Sequence, residues 1–481
     1  VAVPSDEAPG APPATPPPSD LLERLVSLGK QRGFFFPSSE IYGGINALYD
    51  YGPLGTRLRR NIRNRWWRSM VELRDDIEGI ESSVIMNPQV WVASGHVAGF
   101  SDPLVDCTGG CRRRWRADHL GAERVARGKQ ADEPGCPECG GPLTPPRQFN
   151  LMFRTFLGPV EDSSAQVYLR PETAQGMFVD FKSVLNSSRQ RIPFGIAQNG
   201  KSFRNEISPG NSIFRTREFE QMEMEFFCEP GTDERWFEQW RAERFRWYVE
   251  ELGVRRSHLR LRDHEPSELA HYAKAATDVE YLYPFGWGEL EGIANRTDFD
   301  LSAHQRASGV DLSYLDPVTG RSYIPYVIEP AAGVDRIMLT LLIDAFDEET
   351  VRGETRTVLR FHPDVAPVQV AVLPLSRKEE LTVPARQLEH RLRPHFATDY
   401  DETQSIGRRY RRQDEIGTPL AVTFDFDSLQ DDAVTIRERD GMTQVRVPVA
   451  GLEDALRDQL VAFRRRTAER SGAEGGRRGR P

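Results

Sequence analysis

Residues 203–228 read FRNEISPGNSIFRTREFEQMEMEFFC, and this stretch decides the fold. Two strand-like runs flank a polar loop, Ser208-Pro209-Gly210-Asn211-Ser212, whose residue types suit a chain reversal. Arg204 and Glu206 leave the first run, and Phe219 opens the second. Alternate residues of a strand share a face, so Phe219, Gln221, Glu223 and Glu225 are expected to point one way. Met222, Met224 and Phe226 then point into a core. A face with an aromatic ring, an amide and two carboxylates, beside an Arg-rich loop, calls for a ligand. A charged outer strand would explain the carboxylates but not the arginines before them.

A second stretch, Ile328-Glu329-Pro330-Ala331-Ala332-Gly333-Val334-Asp335-Arg336, reads as an apolar strand ending at Glu329 and an apolar helix from about Ala331 to Phe346. Pro330 suits a helix start, Gly333 admits close approach to the backbone, and Arg336 lies about a turn into a helix whose N-terminus favours anions. A third begins at Leu54. Leu58, Ile62, Trp66 and Met70 recur every fourth residue, which predicts an amphipathic helix over 54–73. EGIESSVIMNP (78–88) follows as a strand ending at Pro88. Further strands are predicted at 192–207, 218–228, 278–296 and 321–329, with a helix at 232–252.

After Phe361 the pattern changes. VQVAVLPL (368–375) is a buried-strand run, a helix is predicted near 383–393, and PLAVTFDF (419–426) is another strand. Residues 433–449 form a hairpin folded at Asp440-Gly441, and a helix at 450–466 follows. This is an α/β unit of about a hundred residues, a usual domain size. Residues 1–19 form a Pro/Ala-rich leader too poor in apolar side chains to fold, and 469–481 form a basic tail of the same kind.

Cys107, Cys111, Cys136 and Cys139 have the spacing C-x₃-C…C-x₂-C, with Cys228 left over among apolar residues. Two thiolates on a tight CPECGG turn (136–141) suit structural zinc, with free or disulfide-bonded thiols as the alternative. The net charge of −9 does not suit a protein that coats nucleic acid, but local stretches are basic. Six arginines fall between Arg57 and Arg68, and residues 112–116 and 408–412 read RRRWR and RRYRR. Arg408, Arg409, Arg411 and Arg412 are candidates for phosphate-backbone contacts. No apolar run approaches the roughly 20 residues that span a bilayer, and no secretory signal opens the chain, so a cytoplasmic protein is expected.

Together the three stretches resemble the signature motifs of class II aminoacyl-tRNA synthetases. The helix and strand ending at Pro88 resemble the first motif, which forms that family's dimer interface. FRNE…RTREF resembles the second, and EPAAGVDR the third. The resemblance narrows to the dimeric bacterial-type glycyl enzymes through GFFFPSSEIYGGINALYDYGPLG (33–55), WVASGHVAGFSDPLVDC (91–107), LRPETAQG (169–176), FEQMEMEFF (219–227), HYAKAATDVEYLYPFGWGELEGIANRTDFDL (271–301) and EPAAGVDRI (329–337). The C-terminal unit resembles their anticodon-binding domain.

The resemblance implies an α/β (α+β) fold: an antiparallel-sheet catalytic domain at 20–360 with a zinc-binding insertion at about 105–145, and an anticodon-binding domain at 361–468. It implies activation of glycine with ATP, then transfer to tRNA(Gly), by a homodimer. Arg204 would bridge the glycine carboxylate and the α-phosphate, and with Arg336 counts as catalytic. Glu206 and Phe219 would hold adenine, Arg215 and Arg336 the β- and γ-phosphates, and Glu289 would share Mg²⁺. Asn205, Phe214, Thr216, Arg217, Glu218, Leu290, Gly333, Val334 and Asp335 complete the ATP set. Glu172, Glu223 and Glu329 would read the glycine ammonium, with Arg296 and Arg116 completing the site. Phe219, Glu220, Gln221, Met222, Pro330, Ala331, Ala332 and Gly333 are the remaining glycine-site positions. Many relatives carry Ser where Ala331 stands. The competing reading, a catalytically inactive synthetase-like nucleic-acid-binding subunit, would have lost the ATP clamp, whereas Arg204, Glu206, Phe219 and Arg336 are all present.

Overall fold

The computed structural model describes residues 16–472 apart from Ala126. The predicted leader falls outside the described residues as far as residue 15, and the predicted tail does so from residue 473.

The centre is a sheet of seven strands: β1 (Ile77–Gly79), β2 (Phe194–Phe203), β3 (Glu218–Cys228), β4 (Leu259–Asp263), β5 (Ala275–Tyr283), β6 (Gly286–Thr297) and β7 (Tyr326–Gly333). They lie in the order β4-β5-β6-β7-β3-β2-β1, all antiparallel except β1 beside β2. Helices packed around them include α1 (Pro53–Trp67), α2 (Ala174–Val179), α3 (Asp233–Glu250), α4 (Phe299–Ser308) and α5 (Val334–Ala345).

Helix α1 buries Leu58, Ile62 and Trp66, the stripe its four-residue spacing predicts, and continues as a π-helical turn through Glu72 that buries Met70. Met222, Met224, Phe226 and Cys228 of β3 enter the same core with Ile328 of β7 and Ile337, Met338 and Leu341 of α5. Burial pushes the Cys228 thiol up to about 12, as befits a core residue. α3 is tied to the sheet by a fully buried ion pair, in which Arg244 donates from Nε to Glu291 at 2.6 Å and the Tyr248 hydroxyl donates to the same carboxylate at 2.6 Å.

Three readings are corrected. Pro330, Ala331, Ala332 and Gly333 are not helical. β7 runs through them, and α5 starts at Val334, so Arg336 sits in its first turn. Pairing on both sides outweighs the proline: β7 matches Glu223 to Ala331 and Phe226 to Ile328 on β3, and the ladder lapses between them, where Pro330 has no N–H to give. The strand predicted to end at Pro88 is only Ile77–Gly79, and Pro88 instead opens a short helix, Pro88–Ala93, capped by the Asn87 side chain. Glu225 does not share an open face with Glu223. It is fully buried where α2 packs against β3.

The C-terminal sheet has its own core and comprises β8 (Val370–Pro374), β9 (Thr398–Tyr400), β10 (Leu420–Phe424), β11 (Ala433–Glu438) and β12 (Gln444–Pro448), in the order β9-β8-β10-β11-β12. Its helices are α6 (Glu379–Leu392), α7 (Ile406–Glu415) and α8 (Leu452–Ser471). α8 runs past the predicted end at 466, and the Ser471 hydroxyl donates to the Val249 carbonyl at 3.1 Å, so residues 469–471 belong to the fold rather than to a tail. Phe361, Val365 and Ala366 pack into the first core, not the second.

α7 carries the RRYRR run and splits it. Arg409 is buried, and its guanidinium serves the carbonyls of Pro374, Glu402, Thr403 and Gln404. Arg412 pairs with Asp401. Of the four arginines only Arg408 is exposed, and buried Arg409 is removed from the candidates for phosphate contacts. No helix among the described residues is long and apolar enough to cross a membrane.

Candidate active site

A cleft of ≈ 320 Å³ opens on the face of the sheet opposite α1, over β3, β7 and β6. Its floor is a cross-strand row: Gln198 pairs with Glu223, Glu223 with Ala331, Ala331 with Gly292, and Gly292 with Asp278. Small residues in the middle keep the floor low. A side chain at Gly292 would stand 3.8 Å from Asp278 Oδ1 and 3.9 Å from Glu289 Oε1.

One end of the cleft is cationic. Arg204 donates from Nε to the Pro171 carbonyl at 3.0 Å, and its guanidinium lies 5.3 Å from the Phe219 ring centre. Arg336 donates from Nη1 to the Glu289 carbonyl at 3.1 Å, lies 3.1 Å from the Glu289 carboxylate, and sits 4.7 Å from the Phe214 ring centre. Arg336 holds Glu289 below the usual carboxylate range. The guanidinium of Arg215, half-buried beside them, has no hydrogen bond or ion pair among the described residues. Burial lowers its pKa, Glu206 offsets part of this, and Arg336 and Arg116 add repulsion. A cation left half-buried with cations around it is poised for an anion.

The other end is anionic, and each carboxylate has its own holder. Glu223 accepts the Thr173 backbone N–H at 2.8 Å and the Gln221 amide at 2.7 Å. Glu329 accepts Arg296 Nη1 at 2.8 Å, while Arg296 grips Asp300 through Nε at 2.7 Å and Nη2 at 3.0 Å. Glu172 accepts the Gln175 amide at 3.0 Å and faces His96 Nε2 at 3.3 Å. Burial pushes Glu329 up to about 7; Arg296 opposes this, and Glu223 and Glu172 add to it. Burial and Glu172 raise Glu223 as well. For Glu172 burial is outweighed by His96 and then Arg296, and the net shift is downward. Behind them Glu225 has both carboxylate oxygens buried without a partner among the described residues, and burial followed by Glu329 holds its carboxyl well above the usual range.

Of the residues singled out in the sequence, Glu172, Arg204, Glu206, Phe214, Arg215, Thr216, Phe219, Gln221, Glu223, Glu289, Leu290, Arg296, Glu329, Ala331, Ala332, Gly333, Asp335 and Arg336 line one cleft. The rest are placed elsewhere. The Glu220 carboxylate turns to the opposite face, where Arg63 reaches it at 2.6 Å and Arg59 at 3.0 Å. Met222 is in the core. Pro330 and Val334 are buried outside the lining, and Asn205 and Glu218 are outside it too, Glu218 pairing with Lys201. Arg217 donates to the Asn46 carbonyl at 2.7 Å and Arg116 pairs with Asp102 at 3.0 Å, both beyond the cleft wall. His264, Tyr272 and Asp278 line the cleft without having been singled out. His96, Gln175 and Asp300 support it from behind, and only their place inside the quoted sequence blocks hinted at them.

In the insertion, a small sheet of Ser101–Asp106, Arg114–Arg116 and Arg147–Asn150 carries the cysteine turns. All four sulfurs lie within 4.8 Å of one another, with Cys107–Cys139 and Cys111–Cys136 each at 3.5 Å and no disulfide. Tetrahedral Zn–S bonds of about 2.3 Å place sulfurs about 3.8 Å apart, so the set fits the ion. Arg112, directly after Cys111, takes a positive φ of 49°.

The sheet, the cleft and the appended C-terminal unit define a class II aminoacyl-tRNA synthetase. Residues 158–345 match the family model for the tRNA synthetase class II core domain (G, H, P, S and T), and residues 369–459 match the anticodon binding domain. The prolyl-tRNA synthetase of Cryptosporidium parvum, solved with L-proline and AMP, shares the fold with a TM-score of 0.63 at 13% identity, covering 94% of this chain and 80% of that one. The glycine–tRNA ligase of Caldanaerobacter subterraneus subsp. tengcongensis is 54% identical over 457 residues, 91% of this chain and 98% of the relative. Those of Acetivibrio thermocellus and Cutibacterium acnes are 56% and 55% identical, each over 92% of this chain and 97% of the relative. The chain belongs to the glycine–tRNA ligase family.

Proposed function

We propose that the cleft activates glycine with ATP and passes the glycyl group to the 3′-terminal adenosine of tRNA(Gly). The observation that carries this reading is the division of one cleft into a cationic end with a free guanidinium, Arg215, and an anionic end with three held carboxylates. Such a cleft takes a molecule that is negative at one end and a small cation at the other. Glycine lies across the junction, with its ammonium toward Glu172, Glu223 and Glu329 and its carboxylate toward Arg204. That carboxylate, already ionised, attacks the α-phosphorus of ATP; the P–O bond to pyrophosphate breaks, and glycyl-adenylate forms. Arg204 neutralises charge on the attacking and α-phosphate oxygens, and Arg215 and Arg336 do so on the departing pyrophosphate. Phe219 and Glu206 hold adenine. Glu289, half-exposed to the cleft, offers the oxygen donor a Mg²⁺ would take, and the ion when bound neutralises phosphate charge.

Selection against larger amino acids is steric. The low floor at Ala331 and Gly292 leaves space for a hydrogen at Cα, and the carboxylates stand round it. Ala331→Ser adds a hydroxyl at this floor and is expected to lower the glycine KM by roughly threefold, about the worth of one neutral hydrogen bond. An unchanged or raised KM would count against the position assigned to glycine.

The anionic end is tested by proton release. In the free enzyme Glu329 is raised to about 7, so below that pH it carries a proton that an arriving ammonium expels. Titrating glycine near pH 6.5 in buffers of different ionisation enthalpy should show release of roughly half a proton or more per site, fading to none above pH 8. Proton uptake, or no exchange at any pH, would contradict the reading.

The part up to Ala366, which packs into the first core, is assigned to catalysis, and the unit from β8 to the end of α8 to the anticodon, the charge-bearing α7 supplying Arg408 to the RNA backbone. The basic outer face of α1 is assigned to a homodimer contact, in the cytoplasm. The four cysteines are assigned to structural zinc, with the expected result of about one zinc per chain. Its removal by a strong chelator, or Cys136→Ser, should expose buried Trp115 and shift its fluorescence to the red. A metal-free chain whose emission ignores the chelator would dispose of zinc.

A further inference from the structure

We propose that His96 is a positioning residue for glycine capture, holding Glu172 in the orientation that receives the ammonium. The inference rests on the reading of Glu172 given above.

The segment WVASGHVAGF (91–100) builds a holder for one imidazole ring. Gly95 turns the chain at φ +84°, and a one-turn helix, His96–Gly99, follows. Asn150 fixes that turn from another strand, donating from Nδ2 to the carbonyls of His96 and Val97 at 3.1 Å each. The ring sits between Trp91, edge-on at 5.5 Å, and Phe100 at 5.4 Å. Its two nitrogens are both engaged: Nδ1 lies 2.8 Å from the hydroxyl of buried Ser94, and Nε2 lies 3.3 Å from Glu172 Oε2.

The need for such a holder follows from the other two carboxylates. Glu329 is fixed by a guanidinium, and Glu223 by a backbone amide and Gln221. Among the described residues Glu172 has only the Gln175 amide on its other oxygen, and Gln175 is itself committed to Asp300 at 2.9 Å and His304 at 2.8 Å. His96 supplies the missing donor. It does not line the cleft and so does not touch substrate; it acts through Glu172. A donor behind a ligand-binding group fixes its orientation before the ligand arrives, and losing one commonly costs about 10–100-fold in affinity at metal sites built this way.

The two conservative amides separate this role from packing. Gln places its amide nitrogen where Nε2 lies, facing Glu172; Asn places it where Nδ1 lies, facing Ser94. His96→Asn is expected to raise the glycine KM roughly tenfold or more, with the ATP KM and the kcat at saturating glycine within about twofold. His96→Gln should stay within about threefold of the parent in glycine KM. Ser94→Ala keeps the ring but frees Nδ1, and a rise of about threefold in glycine KM is expected. Asn and Gln variants impaired alike, or all three indistinguishable from the parent, would overturn the inference. Glu172→Gln separates the two levels. If it leaves the glycine KM unchanged, the reading of Glu172 fails. If it raises the KM while His96→Asn does not, only the role of His96 fails.

Discussion

Arg204→Ala is expected to lower glycine-dependent ATP–pyrophosphate exchange by roughly 10²–10³-fold while the protein stays folded. In the proposed reaction the side chain meets transition-state charge, and little in the fold depends on it. It spends one donor, Nε, on the Pro171 carbonyl, and no carboxylate pairs with it among the described residues. Phe219 and Phe100 lie 5.3 and 5.4 Å from the guanidinium, and Arg204 lines the cleft. In the proposed reaction, negative charge on the oxygens between glycine and the α-phosphorus is shared by its guanidinium as the bond forms. Arg204→Lys keeps the charge but not the fork, and is expected to recover only part of the loss. The split matters: kcat should carry the loss, with the glycine and ATP KM values moving far less. A variant that exchanges pyrophosphate at the parental rate would remove Arg204 from the reaction.

Arg296→Ala should be felt in stability and activity together. Arg296 is 2% exposed, joins Asp300 and Glu329, and stacks 3.9 Å from the Tyr272 ring centre. Removing it leaves two buried carboxylates without their cation, a change that costs about 3–5 kcal/mol. The pH dependence of that cost has a definite sign. Glu329 is already raised above its unfolded value, and such a carboxyl binds its proton more tightly in the folded chain, so stability is lost as pH rises through the interval from the unfolded value to about 7. Without Arg296 the raised value moves higher and the loss extends to higher pH. Urea midpoints of the variant at pH 6 and pH 8 should therefore differ more than those of the parent. Equal pH dependence in both would mean that Arg296 does not govern Glu329.

The helical stripe of α1 was legible because that helix buries one face against a single core, so period and burial coincide. β3 is instead buried on both faces from Glu220 to Cys228, and its alternation told only which residues share a side. The strand–helix junction at Pro330 was misread because local propensity favours a helix start there. The competing influence, a central strand paired on both sides, comes from distant residues: Ala331 is matched to Gly292 on one side and to Glu223 on the other. β9 and α7 were not anticipated: three residues make too short a strand to show a period, and α7 carries mostly charge. Glu225 was assigned to an open face because alternation tells direction and not what covers that direction; α2 covers it. Arg409 was read as surface charge because the carbonyls that bury it lie on turns that no pattern announces. In the cleft, motif residues were visible by type and order. His96, Gln175 and Asp300 act through partners from 4 to 129 positions distant, and one sequence does not report such pairings.

Exchange of labelled pyrophosphate into ATP, measured with glycine and in parallel with alanine, serine and proline, bears most directly on a cleft that pairs three carboxylates with a low Ala331–Gly292 floor. Strong exchange with glycine, and at least about 10²-fold less with the other three, is the predicted result. Comparable exchange with alanine or serine, or none with glycine, would contradict it.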